Sequence, residues 1–582
     1  MSQAVNTYQI LDDRLAINDG IQYGVEVGGQ SINQQRFSSQ TKTASSVSVN
    51  CLIPSLQTII DRHVLLRTTF NLQISGVVAT NGGSLLNYPT NVALSPFMFS
   101  QMVNNLSCQV NNTTLNSNYQ DTLTTMLRQM KPEELAKYGD YTTTQLDYYQ
   151  SPATAGTLSA FQSILTAPDY AVKPRGSWVI NSIVGNSVAN ADNQAKSVTL
   201  NITTTEPIFV SPFLFGDVLD EHNSGLSGIS SINFNFNIGN VGRAITWKAL
   251  GAGDTLTGVV LGGLKADGSA ANAFDSFEIL MTFISPKPSQ LIPLTCALPY
   301  YQLNAYKTST TSAAASAPFN FTSSIVSPNC IPDKVYLLVR PAITDVVGAA
   351  SINDFRYPIT NVNITWNTQS GLLATATQQE LYYMSKRAGL KMDWMSFNGK
   401  AGGSGLAALG ATPTLLAGGI VCLDFNQHIP IMEQYYSSGS LGQWTFQATI
   451  SCDGITGRAA EQVELVVIFF QSGIFQSTSG SSSQYVGVLS KDEVLRVAQE
   501  ESMVKTEHYR VVGGGIGSWL SSAIKSSSPA IKSFIKDKAK DLLPAAAAAL
   551  NKRLGLVDGS AMSAGAMSAG AESGGRRPRV KR

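Results

Sequence analysis

Along most of the chain, apolar residues come in short β-branched or aromatic runs rather than at helical spacing. Val64 to Ile74, Ser197 to Val210, Ile232 to Ile238, Phe277 to Ile284, Lys334 to Ala342, Val362 to Trp366, Trp444 to Ser451 and Val463 to Phe470 are such runs. Clusters of Gly, Pro, Asn and Ser bound them, which predicts strands joined by turns. Helical spacing is confined to three places. Tyr119 to Met130 carries Leu123, Met126, Leu127 and Met130, and Thr377 to Ala388 carries Leu381, Met384 and Ala388. Ser490 to Glu501 opens with Ser490-Lys491-Asp492-Glu493, a capping box in which Ser and Glu satisfy each other's backbone N–H groups. Many strands with few short helices predict an all-β sandwich or barrel.

The strand pattern repeats. Asp61-Arg62-His63-Val64-Leu65-Leu66-Arg67 has a counterpart in Asp333-Lys334-Val335-Tyr336-Leu337-Leu338-Val339-Arg340. Pro96 to Leu115 ends near Asn111-Asn112-Thr113 and leads into a Met-bearing helix, as does Pro358 to Thr368 with Asn363-Ile364-Thr365. Asn233-Phe234-Asn235-Phe236 is matched by Trp444-Thr445-Phe446, and Phe277-Glu278-Ile279 by Val463-Glu464-Leu465. Four matches in the same order predict two similar β domains in tandem, about residues 45–290 and 295–487. A capped helix and connector would occupy 488–509, and the polar, Gln- and Asn-rich residues 1–44 would form an arm that orders on assembly.

Composition changes this picture at one end. The 582 residues carry 40 Lys+Arg against 39 Asp+Glu, a net charge of +1, and only 14% are charged, well below the usual ~25%. A chain this size that covers itself in neutral polar groups is expected to bury much surface against copies of itself. The neutral total hides an asymmetry. Residues 510–582 hold 13 basic and 4 acidic residues, net +9, which leaves 1 − 9 = −8 for the other 509. That marks a basic C-terminal tail. Its Gly513-Gly514-Gly515 would be an accessible, extended site for proteolytic removal of the tail. Arg576, Arg577, Arg579, Lys581 and Arg582 suit contact with nucleic-acid phosphates or a nuclear import signal. The Lys-spaced segment Ile516 to Leu543 suits a membrane-surface helix, and a solubilising extension is the bland alternative.

Catalytic signatures are missing from the sequence. His63, His222, His428 and His508 stand alone, with no HExxH or His-x-x-x-His pair to hold a metal. There is no Gly-x-Ser-x-Gly elbow, and Gly399-Lys400-Ala401 lacks the spacing and hydroxyl of a phosphate loop. Cys51, Cys108, Cys296, Cys330, Cys422 and Cys452 form no CxxC pair and are expected as buried thiols. No signal peptide and no membrane span are read in the sequence. No catalytic, cofactor or metal residue is therefore assigned.

Several segments carry a resemblance. Leu56-Gln57-Thr58-Ile59-Ile60-Asp61-Arg62, Pro96-Phe97 and Lys173-Pro174-Arg175-Gly176-Ser177-Trp178 resemble the first half of virophage major capsid proteins and of related capsid proteins of polinton-like DNA viruses. Ile331-Pro332-Asp333-Lys334, Leu381-Tyr382-Tyr383-Met384-Ser385 and Ser438-Gly439-Ser440-Leu441-Gly442-Gln443 are similar to the second half. The resemblance spans roughly residues 15–490. It implies two tandem eight-stranded jelly rolls with a few short helices, a homotrimeric pseudo-hexameric capsomer, and an icosahedral shell around a DNA genome. It implies as partners neighbouring capsomers, vertex (penton) and other minor capsid proteins and a maturation protease; the basic tail adds genomic DNA as a candidate. The place would be the virion, assembled inside the host cell. A jelly-roll receptor- or carbohydrate-binding protein is the alternative, which the basic tail does not favour.

Overall fold

The computed structural model describes residues 31–486, apart from 80–84, 87–91, 96, 130–145, 149–171, 175–176, 186–193, 214–224, 249–252, 287–294, 310–316, 343–349, 352–355, 393, 399, 402–413, 416–418, 432–437 and 455–461; it also describes a hairpin of Thr7–Ile10 with Tyr23–Glu26. The Ser490 capping box and the whole tail lie outside the described residues.

The first half builds one β-sandwich. Its strands are β1 (Ser31–Ser38), β2 (Ser46–Leu52), β3 (Leu65–Val78), β4 (Val103–Val110), β5 (Thr113–Ser117), β6 (Gln194–Pro207), β7 (Ser231–Ile238) and β8 (Phe274–Ser285). A short helix α1 (Met98–Met102) precedes β4, and α2 (Tyr119–Gln129) follows β5. One sheet runs β1-β8-β3-β6 and the other β2-β7-β4-β5, all antiparallel. Ser177–Val184 extends the first sheet beyond β6, and Thr255–Leu261 pairs with the far half of β3.

The second half repeats the plan. β9 (Thr295–Ser309), β10 (Phe319–Thr322), β11 (Lys334–Pro341), β12 (Ile359–Trp366), β13 (Gln369–Leu372), β14 (Val421–Asp424), β15 (Phe446–Cys452) and β16 (Val463–Thr478) form sheets β9-β16-β11-β14 and β10-β15-β12-β13. Helix α3 (Gln378–Arg387) follows β13 as α2 follows β5. Each strand number of the first sandwich thus corresponds to that number plus eight in the second, and each sandwich is an eight-stranded jelly roll. The turns agree too: Asn111 (φ 51°) and Asn367 (φ 51°) hold the left-handed position of the β4–β5 and β12–β13 hairpins, a position that Asn tolerates better than most residues.

Alternation explains the cores. β7 buries Ile232, Phe234, Phe236 and Ile238 and turns Asn233, Asn235 and Asn237 outward. Phe99, Phe236, Phe274 and Phe277 meet edge to face, with centroids 5.2–6.0 Å apart. The second core gathers Trp366, Phe425, Trp444 and Phe446. The eight runs expected as strands are all strands. β1, by contrast, comes from the polar segment expected as part of the arm. It pairs with β8 over eight rungs, Ser31↔Ser285 to Ser38↔Glu278. An edge strand with mostly exposed side chains needs no apolar alternation, so composition could not reveal it. β9 was missed for a similar reason, its side chains being mostly half-buried.

Candidate assembly interface

The two sandwiches meet along a seam in which Leu298, Tyr300 and Phe475 of the second pack into the core of the first, flanked by polar and ionic contacts. Helix α2 begins after Asn118, whose side-chain oxygen accepts from the Asp121 N–H (3.3 Å). Residues Asp121 to Met126 are all buried, because α2 packs on its own sandwich with one face and on the second sandwich with the other. The Asp121 carboxylate receives the Arg340 guanidinium of β11, and Lys307 of β9 approaches it at 3.7 Å. Arg340 also binds Glu464 of β16 (3.0 Å) and donates to the Gln120 carbonyl (3.2 Å). One turn along α2, the Thr124 hydroxyl accepts from Arg356 (2.6 Å). A buried charge needs this density of partners.

Toward the other end of the seam the contacts are hydrogen bonds from the hairpin joining β16 to Ser481–Val486. The Ser482 N–H donates to Asn112 Oδ1 (2.6 Å), its hydroxyl to the Val110 carbonyl (2.5 Å), and the Thr113 hydroxyl to the Ser482 carbonyl (2.7 Å). The Gly480 N–H donates to the Gly228 carbonyl (2.8 Å) from a turn at φ 88°, a conformation that suits a residue without Cβ. The Ser477 hydroxyl reaches the Ser227 carbonyl (2.5 Å).

The other ionisable groups, of which Glu206 is fully buried, serve the sandwiches. Glu206 of β6 accepts from the N–H groups of Phe99 and Ser100 (2.8 Å each) and from the hydroxyls of Ser100 (2.7 Å) and Thr204 (2.8 Å), anchoring α1. Asp333 accepts from the Ser472 N–H (2.6 Å), and Lys334 lies 3.8 Å from Asp424. His63 pairs with the adjacent Asp61 (2.9 Å), and His428 Nδ1 accepts from the Asp424 N–H (3.0 Å). Each imidazole is thus tied to its own turn. Among the described residues no three His, Cys, Asp or Glu side chains come together as a metal site. Five of the six cysteine residues are buried, and burial pushes the Cys51 thiol up to about 12 and Cys330 to about 11. Among the described residues no helix is long and apolar enough to cross a membrane. Gly513–Gly515 and the terminal Arg576, Arg577, Arg579, Lys581 and Arg582 lie outside the described residues. The seam residues Asp121, Lys307 and Arg356 carried no sequence signal; Arg340 and Glu464 were visible only as members of the repeat.

Comparison with known proteins matches the halves separately. The model of the Sputnik virophage major capsid protein first domain covers residues 4–284, and that of the major capsid protein V20 C-terminal domain covers 301–473. The chain belongs to the virophage major capsid protein family. The putative capsid protein V20 of Sputnik virophage is 25% identical over 551 residues, 92% of this chain and 89% of the relative. A chain of the Sputnik virophage cryo-EM structure is 23% identical with a TM-score of 0.68, over 89% of this chain and 98% of that one. The crystal structure of the mavirus major capsid protein, 12% identical, gives 0.60 over 85% and 99%. The double jelly roll of this virophage capsid family is therefore the architecture of the present chain.

Proposed function

We infer that the chain is the shell-forming subunit of a virion, assembling as trimeric, pseudo-hexameric capsomers into an icosahedral shell around a DNA genome. The observation that carries this reading is the repeated strand order: two like sandwiches per chain give three chains six similar faces, so a threefold object can fill a six-neighbour position. The neutral polar surface, low in charge, suits contact with many copies and with vertex and other minor capsid proteins. The chain has no catalytic role of its own in this reading. Its tail, residues 510–582, is removed at Gly513–Gly515 by a maturation protease, or contacts genomic DNA through Arg576, Arg577, Arg579, Lys581 and Arg582, or directs nuclear import inside the host cell. Electron microscopy of the purified chain tests the core of the proposal. Threefold capsomers or closed shells are expected, and a stable monomer that binds glycans would overturn it.

A further inference from the structure

The repeat places a second copy of the seam's ionic site on surfaces that, among the described residues, meet no other sandwich. Arg67 of β3 stands opposite Glu278 of β8, as Arg340 of β11 stands opposite Glu464 of β16. Two rungs along, Arg36 of β1 faces Leu280, as Lys307 of β9 faces Val466. Arg36, Arg67 and Glu278 therefore occupy the register positions of Lys307 and Arg340, which hold Asp121, and of Glu464, which pairs with Arg340. The helix side of the contact is repeated as well. Asp121 is the third residue of α2, and Glu380 is the third residue of α3, its N–H capped by the Thr377 hydroxyl (3.4 Å). Counting along both helices, Tyr383 takes the place of Thr124.

The two copies differ in what covers them. Asp121 and Arg340 are each 2% exposed, whereas Arg36, Arg67 and Glu380 are exposed and Glu278 is half-buried. Leu303 of β9, opposite Phe470, packs against both cores; its register equivalent Ile32 of β1, opposite Ile284, is 64% exposed. Tyr383 is 65% exposed, with the Arg387 guanidinium 6.0 Å from its ring centre. The first sandwich thus presents a basic socket that no helix among the described residues fills. The second presents a helix face of Glu380, Tyr383 and Arg387 that meets no socket among the described residues.

We propose that Glu380 and Tyr383 of α3 dock on the Arg36–Arg67–Glu278 face of a second copy of this chain, repeating between chains the contact that α2 makes within one. Glu380 complements Arg36 and Arg67 in charge, and Tyr383 supplies the large amphipathic ring that anchors such contacts beside Ile32. The two patches differ, so the contact is head-to-tail, and a ring of three closes it. This rests on the capsomer reading and gives that assembly its residues.

Sedimentation of the full-length chain tests it. Arg36→Glu with Arg67→Glu, and separately Glu380→Lys, are each expected to weaken self-association about thirtyfold or more, because like charges then meet in a closing interface. Combining all three changes restores complementarity and is expected to recover most of the association. Glu380→Gln, which keeps the helix cap, separates loss of charge from fraying and should weaken association less than Glu380→Lys. If the native chain forms trimers and the reversals leave them unchanged, this interface is wrong while the capsomer reading stands. A combined variant as weak as its parents overturns it equally. So do reversals that alter only the unfolding of the monomer, since the face would then be covered by a segment of the same chain. If the native chain forms no trimer, both readings fail.

Discussion

Glu206 is buried without a cation, and its four donors explain how a carboxylate survives there. Burial nevertheless holds its carboxyl above the usual carboxylate range, outweighing the pull of the Ser100, Phe99 and Thr204 donors. A group whose pKa is raised on folding contributes stability that is complete below its unfolded value, about 4.3, and fades as pH rises through the folded value. Glu206→Ala leaves two buried N–H groups without an acceptor and is expected to cost about 3 kcal/mol near neutral pH. Chemical denaturation of both proteins measures that gap, which should widen as pH falls from about 7 toward about 4.5. A gap that narrows would contradict the direction of the shift. Nothing in the sequence around Glu206 signals this role. It follows from α1 being brought against β6 by residues far apart in the chain.

At the scale of elements, helices α2 and α3 were legible and their contacts were not. The spacing of Leu123 and Met126, and of Leu381 and Ala388, predicts both helices, and the observed bounds Tyr119–Gln129 and Gln378–Arg387 agree within two residues. Asp121 and Thr124 would ordinarily lie on the solvated face, yet both are buried because a second sandwich covers that face. Removing one partner of a buried ion pair strands the other, so Asp121→Ala is expected to destabilise the chain by about 3–5 kcal/mol. Adding Arg340→Met should cost less than the sum of the two single changes, with a coupling of about 2 kcal/mol in a double-mutant cycle. Additive losses would mean that Asp121 and Arg340 do not act together. On α3, Thr377→Ala removes the hydroxyl that accepts from the Glu380 N–H and donates to the Glu380 carboxylate, and keeps the backbone N–H that also donates there. A loss of about 1 kcal/mol in unfolding free energy, read as a lower urea midpoint at unchanged slope, is the expected result.

For the whole molecule, the basic tail and the double sandwich divide the work in the proposed assembly. Deleting residues 510–582 is expected to leave trimers intact, because the repeated faces belong to residues 31–486. The same deletion should lower DNA affinity and flatten its dependence on salt, as fewer phosphates are neutralised. Sedimentation reads the first outcome and binding at several salt concentrations the second; loss of trimers would move an assembly determinant into the tail. The sequence by itself determined the strand runs, the two helices, the order of the repeat and the charge boundary near residue 510. Each is written in local periodicity or composition, which the chain carries whatever it packs against. Only the tertiary structure decided that Ser31–Ser38 is an edge strand, that Asp121 is an interior anion, and that Arg36 and Arg67 stand where Lys307 and Arg340 stand. Those facts depend on cross-strand register and on which face a neighbour covers, and residues about 220 positions apart, such as Asp121 and Arg340, meet only once both sandwiches have formed.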